Sequence, residues 1–248
     1  MIVIKRPDEL RRMREAGRVV ARVLLEIEKR VRPGVTTGEL DRFAEEFIRA
    51  AGGEPSFKGY RGYPASICTS VNEEVVHGIP SGRRLEEGDI VSVDVGVLLD
   101  GFHGDAARTF AVGEVDPRTR RLLEVTERAL EAGIATAREG NRISDIGHAV
   151  QRVVEGAGFS VVRDFVGHGI GRQMHEDPQV PNFGVPGRGP RLLRGMTIAI
   201  EPMVNAGAPD VTILEDHWTA VTVDGSRSAH FEHTVAISED GPVILTLA

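Results

Sequence analysis

Five side chains scattered along this sequence have types suited to one shared chemistry: Asp94, Asp105, His168, Glu201 and Glu232. Four carboxylates carry four negative charges and a neutral imidazole adds none, so two divalent cations would balance the set. Cations held ~3.5 to 4 Å apart share a water, lower its pKa and polarise the oxygen of a scissile bond. The expected chemistry is therefore metal-assisted hydrolysis. Oxygen-rich ligands with one nitrogen suit manganese, iron, cobalt or zinc, and affinity order alone does not choose among them.

The elements around these residues must bring them together. In Ile90-Val-Ser-Val-Asp-Val-Gly-Val97 the valines alternate onto one face of a strand, leaving Ser92, Asp94 and Gly96 on the other. Asp100-Gly101 signals a two-residue hairpin, which sets Asp94 opposite Ala107 and makes Asp105 its diagonal neighbour on the same face. Diagonal Cβ atoms lie ~7 to 8 Å apart or less, a span across which two carboxylates can share a cation. A solvated hairpin with ordinary surface acids is the plainer alternative, but two acids on an inner face repel unless a positive charge lies between them.

A second strand has Ile198, Ile200 and Pro202 on one face and Thr197, Ala199 and Glu201 on the other, and Glu232 lies in the strand-like run Ala229 to Ile237. Either glutamate alone could be an edge-strand solubility device. Their apolar neighbours argue for burial instead. His168 is flanked by glycines in Val166-Gly-His-Gly-Ile-Gly171, which lets backbone approach closely, and His175 follows. A lone histidine is more often structural than a ligand. Within a carboxylate cluster, a neutral imidazole is a suitable metal donor.

Sliding the chain against itself by about 106 residues lays Arg32 to Leu40 over Arg138 to Ile146, and a similar shift lays Glu87 to Asp94 over Arg194 to Glu201. The expectation is one catalytic domain over 1–248, built as an internal duplication with halves of roughly 1–115 and 116–248. Each half runs from a long helix through a second helix into strands: Pro7 to Val31 and Thr37 to Ala51, then Asp116 to Arg138 and Ile143 to Gly156. The fold class is α+β, a largely antiparallel sheet covered by helices, with the site between the halves.

Composition narrows the setting. A chain of 248 residues, 41% apolar, can bury one substantial core. No secretory leader or run of ~18 apolar residues is visible, and the single cysteine, Cys68, rules out an internal disulfide framework. A cytoplasmic protein is expected. The net charge of -7 offers no general reason to seek nucleic acid or an anionic membrane surface.

Several phrases together resemble one family, the bacterial type I methionine aminopeptidases: Ser70-Val-Asn-Glu-Glu-Val-Val-His-Gly-Ile-Pro80, Asp100-Gly-Phe-His-Gly-Asp105, Gly167-His-Gly-Ile-Gly171, His175-Glu-Asp-Pro-Gln179, Glu201-Pro-Met-Val204 and Phe231-Glu-His-Thr234. The likeness spans nearly the whole chain and implies a pseudo-symmetric "pita-bread" fold. It implies that Asp94 serves one metal, His168 and Glu201 the other, and Asp105 and Glu232 bridge. A bridging hydroxide would attack the first peptide bond of a protein or peptide that begins with methionine.

The resemblance further implies that His77 contacts the substrate backbone, that His175 stabilises the tetrahedral intermediate, and that Glu201 passes a proton toward the leaving amine. The methionine pocket would comprise Tyr60, Tyr63, Cys68, Met174 and Trp218, together with Phe57. Aromatic and sulfur neighbours suit a thin, polarisable side chain. A small second residue is preferred in this family, so the chain's own Met1, followed by Ile2, should stay attached. A monovalent cation near Asn72, Glu74 and Ser228 is implied as well. Only about 25 residues separate His175 from Glu201, too few for the insertion of the type II relatives. Nascent chains are the expected partners, with transient ribosome contact, and the enzyme is expected to be a monomer.

Two other readings compete. A proline-directed peptidase of the same fold would share the metal ligands but commonly carries an extra N-terminal domain. A non-catalytic binding protein on this scaffold would be expected to lose ligands, whereas all five, with His77 and His175, are present.

Overall fold

A computed structural model describes residues 1–248. The chain begins with helix α1 (Pro7–Glu28). Pro7 occupies the first turn, Asp8 and Glu9 face the positive end of the helix dipole, and the Glu9 carboxylate accepts the Arg6 N–H at 2.9 Å. Its buried face includes Met13, Ala16, Val20, Leu24 and Ile27 at three- and four-residue spacing. Helix α2 (Thr37–Ala50) opens with a reciprocal cap: the Glu39 N–H donates to Thr36 Oγ1 at 3.2 Å, and the Thr36 N–H donates to the Glu39 carboxylate at 2.7 Å.

Five strands follow: β1 (Glu54–Pro55), β2 (Cys68–Val71), β3 (Glu74–Val76), β4 (Ile90–Leu99) and β5 (Phe102–Ala111). The helix-pair order then recurs. Helix α3 (Pro117–Thr136) is capped by Asp116, which accepts from the N–H groups of Arg118 and Thr119, and α4 spans Ile143–Gly156. The expected helices at Val31 and Arg138 end two or three residues earlier, each in a hydrogen-bonded turn.

The remaining strands are β6 (Ser160–Val161), β7 (Gly167–Gly169), β8 (Glu176–Val180), β9 (Thr197–Ile200), β10 (Met203–Asn205), β11 (Val211–Ile213), β12 (Ala220–Thr222), β13 (Ser228–His230), β14 (His233–Ser238) and β15 (Gly241–Ile244). Every pairing is antiparallel. One sheet orders β1-β4-β2 with β5 also on β4, and another orders β15-β14-β9-β7-β8. Two three-stranded sheets, β13-β10-β6 and β11-β12-β3, complete the molecule. Strand β3, from the first part of the chain, thereby pairs with β12 from the last.

Val91, Val93, Val95 and Val97 are fully buried against α1 and α2, in a cluster with Val20, Val23 and Ile27. Burial of a valine side chain contributes roughly 1.5 kcal/mol or more, so this face fixes which way the β4–β5 hairpin points. A matching cluster joins α3 and α4 to β9 and β14 through Leu122, Val150, Ile198 and Val235. No helix is long and apolar enough to cross a membrane.

The expected single strand from Ala229 to Ile237 is instead two, β13 and β14, interrupted at Phe231 and Glu232. The interruption is where this segment changes partner and bonds to β5. The Glu232 N–H donates to the Ala107 carbonyl at 2.9 Å. On either side, Thr109 Oγ1 bonds both the N–H and the carbonyl of His230, and Thr234 Oγ1 bonds both the N–H and the carbonyl of Asp105. These ties join the hairpin to the second sheet system.

Candidate metal centre

The β4–β5 register sets Asp94 opposite Ala107 and Asp105 opposite Gly96, which makes the two acids diagonal neighbours. Asp100 and Gly101 both adopt positive φ, the conformation this tight turn requires. With the valines fixed on the core face, Asp94 and Asp105 point to the opposite side. The ties from Thr109 and Thr234 bring Glu232 to Asp105, and Glu201 arrives immediately beyond the end of β9.

His168 comes from β7, which is hemmed in by β8 and β9. A side chain at Gly167 would meet the Ala199 carbonyl at 2.3 Å, and one at Gly169 would meet the Asp177 carbonyl at 2.1 Å. Glycine on both sides is what lets this short strand fit. The His168 Nδ1 donates to the Gly169 carbonyl at 2.8 Å, because that oxygen can only accept. The neutral ring therefore presents a free lone pair at Nε2, 3.5 Å from Glu201 Oε1 and 3.9 Å from Asp105 Oδ2.

Burial acts on all four acids, and repulsion from neighbouring acids adds to it at Asp105, Glu201 and Glu232. Burial raises Asp94 to about 7. Burial first, and then the charges of their neighbours, hold Asp105, Glu201 and Glu232 well above the usual carboxylate range. Burial also pushes His168 down to about 3. Asp94 Oδ1, Asp105 Oδ1 and Glu232 Oε1 are buried without any hydrogen-bond partner. Buried oxygens of this kind normally find a partner, and a concentration of orphans on converging acids is the signature of a cation site. Asp105, His168 and Glu232 place one donor atom each within 4.8 Å of one another, as do Glu201, His230 and Glu232. The residues fit a centre for divalent metal.

His230 had no place in the sequence-level expectation. It is buried, its Nε2 lacks a partner, and it lies 3.8 Å from Glu201 Oε2. Its position two residues before Glu232, on the same side of a strand-like run, was the available signal.

The centre forms the floor of a cavity of about 190 Å³ whose lining includes Asp94, Asp105, His168, Glu201 and Glu232, along with His77 and His175. Its wall is a separate apolar cluster of Phe57, Tyr63, Ala65, Cys68 and Met174, flanked by Tyr60, Ile79 and Trp218. All the pocket residues expected from the sequence thus gather at one place. Cys68 pairs across the sheet with Asp94, and the absent side chain of Gly96 makes room for the Phe57 ring. Burial pushes the Cys68 thiol up. Tyr63 and Trp218 meet edge to face at 5.1 Å.

His77 has a positive φ of 62° and packs edge-on to Phe165 and Trp218, and burial lowers it to about 4. His175 lies at the cavity mouth with its ring 4.2 Å from that of His168. Away from the cavity, the Ser228 N–H donates to the Asn72 carbonyl at 2.8 Å, and the Glu74 carboxylate turns back to the Val71 N–H.

The family model for "Metallopeptidase family M24" matches residues 11–239. The chain belongs to this family. A methionine aminopeptidase of Clostridium acetobutylicum is 56% identical, covering 100% of this chain and 99% of that one. The crystal structure of the Thermotoga maritima methionine aminopeptidase superposes with a TM-score of 0.99 at 51% identity over the full length of both. A Pyrococcus furiosus prolidase shares the fold, with a TM-score of 0.81 at 22% identity, and 66% of its chain is covered. Within the M24 metallopeptidases the chain thus groups with the methionine aminopeptidases, and it has their α+β pita-bread fold.

Proposed function

We propose that this protein is a metal-dependent aminopeptidase that removes the N-terminal methionine from nascent proteins and peptides, with a preference for a small second residue. The observation that carries the reading is the opening of a sulfur- and aromatic-walled pocket directly onto the carboxylate cluster, within one small cavity. A methionine side chain lodged between Tyr63, Cys68, Met174 and Trp218 would place its own peptide bond over Asp94, Asp105 and Glu201.

Asp94, Asp105, His168, Glu201 and Glu232 would hold two divalent ions of the manganese, iron, cobalt or zinc kind. Bound there, the ions supply Lewis acidity and the positive charge that the four acids need. The chain's own groups do the rest. His77 and His175, both lining the cavity, orient the backbone of the substrate and donate to charge that develops on its carbonyl oxygen, a contribution typically worth a few kcal/mol. Glu201 carries a proton toward the departing amine. A free α-amine held at the metal centre would limit cleavage to the first residue. The proposed setting is the cytoplasm, where nascent chains still carry their first methionine. There the enzyme acts as a monomer, with at most transient ribosome contact.

The test is mass spectrometry of Met-Ala-Ser, Ala-Ala-Ser and Xaa-Pro peptides incubated with chelator-treated protein, with and without manganese or cobalt. Loss of methionine alone, restored by metal, is the expected result. Preferential cleavage of Xaa-Pro would overturn the substrate assignment, and metal binding without turnover of any peptide would overturn the enzymatic one.

A further inference from the structure

The two oxygens of Glu201 face different imidazoles. Oε1 lies 3.5 Å from Nε2 of His168, and Oε2 lies 3.8 Å from Nε2 of His230. The two contacts differ in kind. His168 spends its one proton on the Gly169 carbonyl, so a lone pair and a carboxylate oxygen face each other there. Those two groups repel unless a cation lies between them. The ring of His230 is free of any such bond, and its Nε2 is buried with no partner.

Little freedom is left to His230. The Thr109 hydroxyl grips its N–H and its carbonyl, each at 2.8 Å, so the ring is aimed by β5. The only carboxylates near its Nε2 are Glu201 and, at 4.0 Å, Glu232. A buried ring nitrogen without a partner is costly, and a separation of 3.8 Å is closed by a modest rotation of the carboxylate.

We propose that His230 is a positioning residue: its Nε2–H donates to Glu201 Oε2, which commits Oε1 to the metal ion shared with His168. This rests on the metal-dependent reading above. The division of labour fixes Glu201 as a one-oxygen ligand and holds its second oxygen in a defined direction. Partners of this kind, one step behind the ligands, typically change metal affinity by about 10- to 100-fold when removed.

The test uses the full chain, stripped by chelator and titrated with cobalt(II), with affinity read by calorimetry and coordination by visible absorption. His230→Leu should weaken one of the binding steps by about 10- to 100-fold and alter the cobalt spectrum. His230→Gln, which keeps an N–H donor, should restore both. Equal affinity and an identical spectrum in His230→Leu would overturn the proposal. Independently of any variant, nitrogen-15 NMR of the zinc-loaded native chain should find the His230 proton on Nε2. A proton on Nδ1, or X-ray absorption of the cobalt form with two imidazoles bound, would make His230 a ligand and overturn the positioning role. Failure of the native chain to bind cobalt at all would remove the metal reading itself.

Discussion

The hydroxyl of Tyr60 lies 2.8 Å from Nδ1 of His175, and the two rings stack with centroids 5.3 Å apart. Tyr60 comes from the short turn Tyr60–Gly62 before β2, whereas His175 immediately precedes β8, so the contact ties the two walls of the cavity together. With Nδ1 engaged, Nε2 is the nitrogen left for a substrate. Tyr60→Phe keeps the stacking and loses the bond. The expected outcome is a fall in kcat of about fivefold, near 1 kcal/mol, with KM changed little. Steady-state kinetics on Met-Ala-Ser checks it. A rise in KM with unchanged kcat would mean that Tyr60 acts as pocket wall alone.

Asp105 is buried, and the charge of Glu232 and then of Asp94 raises it further after burial. Asp105→Asn keeps the shape and removes one repelling charge. In the presence of manganese, activity should fall by roughly a hundredfold or more, about 3 kcal/mol. After chelator treatment at pH 8 the same variant should be more stable than the parent by about 1 kcal/mol, roughly 2 to 4 °C in Tm. Opposite signs in the two conditions are what a cation-dependent acid cluster requires. Destabilisation in both would mark Asp105 as purely structural.

Proton linkage gives the metal-free protein a distinctive pH profile. The four acids have folded-state values raised by burial, Asp94 to about 7 and Asp105, Glu201 and Glu232 well above the ordinary range. Burial lowers His168 and His230 to about 3, and His77, His103 and His233 to about 4. Below the ordinary imidazole value of about 6.5 the two sets oppose each other. Above it the histidines are neutral in both states, and the folded acids bind more protons than the unfolded ones. Stability of the chelated protein should therefore fall as pH rises through about 7 and beyond. Bound metal keeps the acids ionised and reverses the trend, so the loaded protein should lose stability as pH falls. Urea midpoints at pH 6.5, 7.5 and 8.5, with and without manganese, measure both slopes. Parallel slopes would contradict the cluster's role in binding.

Much of the centre was legible because it is local. Alternation along Ile90 to Val97 and the Asp100-Gly101 turn determine where Asp94 and Asp105 point, and neither depends on a distant partner. Glycine flanking marked His168 for the same reason. What escaped is long-range. The break at Phe231 and Glu232 follows from hydroxyl ties between Thr109 and His230 and between Thr234 and Asp105, more than a hundred residues apart in sequence. The aim of His230 follows from the same ties. The left-handed backbone of His77 was not legible either: histidine is enriched among non-glycine residues at positive φ, but most histidines do not adopt it, so the residue type does not single out this position.

The N-terminal segment is equally invisible to pattern reading, and it yields the last prediction. Lys5 Nζ and the Glu176 carboxylate form an ion pair with both side chains almost wholly buried, 3% and 8% exposed. Glu176 also accepts the Gln173 N–H, and Gly171 leaves no room beside the pair: a Cβ there would lie 2.4 Å from Lys5 Cε. The segment from Gly171 to Glu176 carries Met174 and His175, so the pair clamps the outer wall of the pocket. Breaking a buried pair by removing one partner strands the other charge, at a typical cost of about 3 to 5 kcal/mol. Lys5→Met should therefore be strongly destabilising and should lower kcat through a displaced His175. Lys5→Met combined with Glu176→Gln removes the stranded charge and keeps an acceptor for Gln173, so it should recover much of the stability. Urea unfolding of the two single variants and the double variant, read as a cycle, measures the coupling. Additive losses would mean that the pair contributes packing alone and leaves His175 to be held by Tyr60.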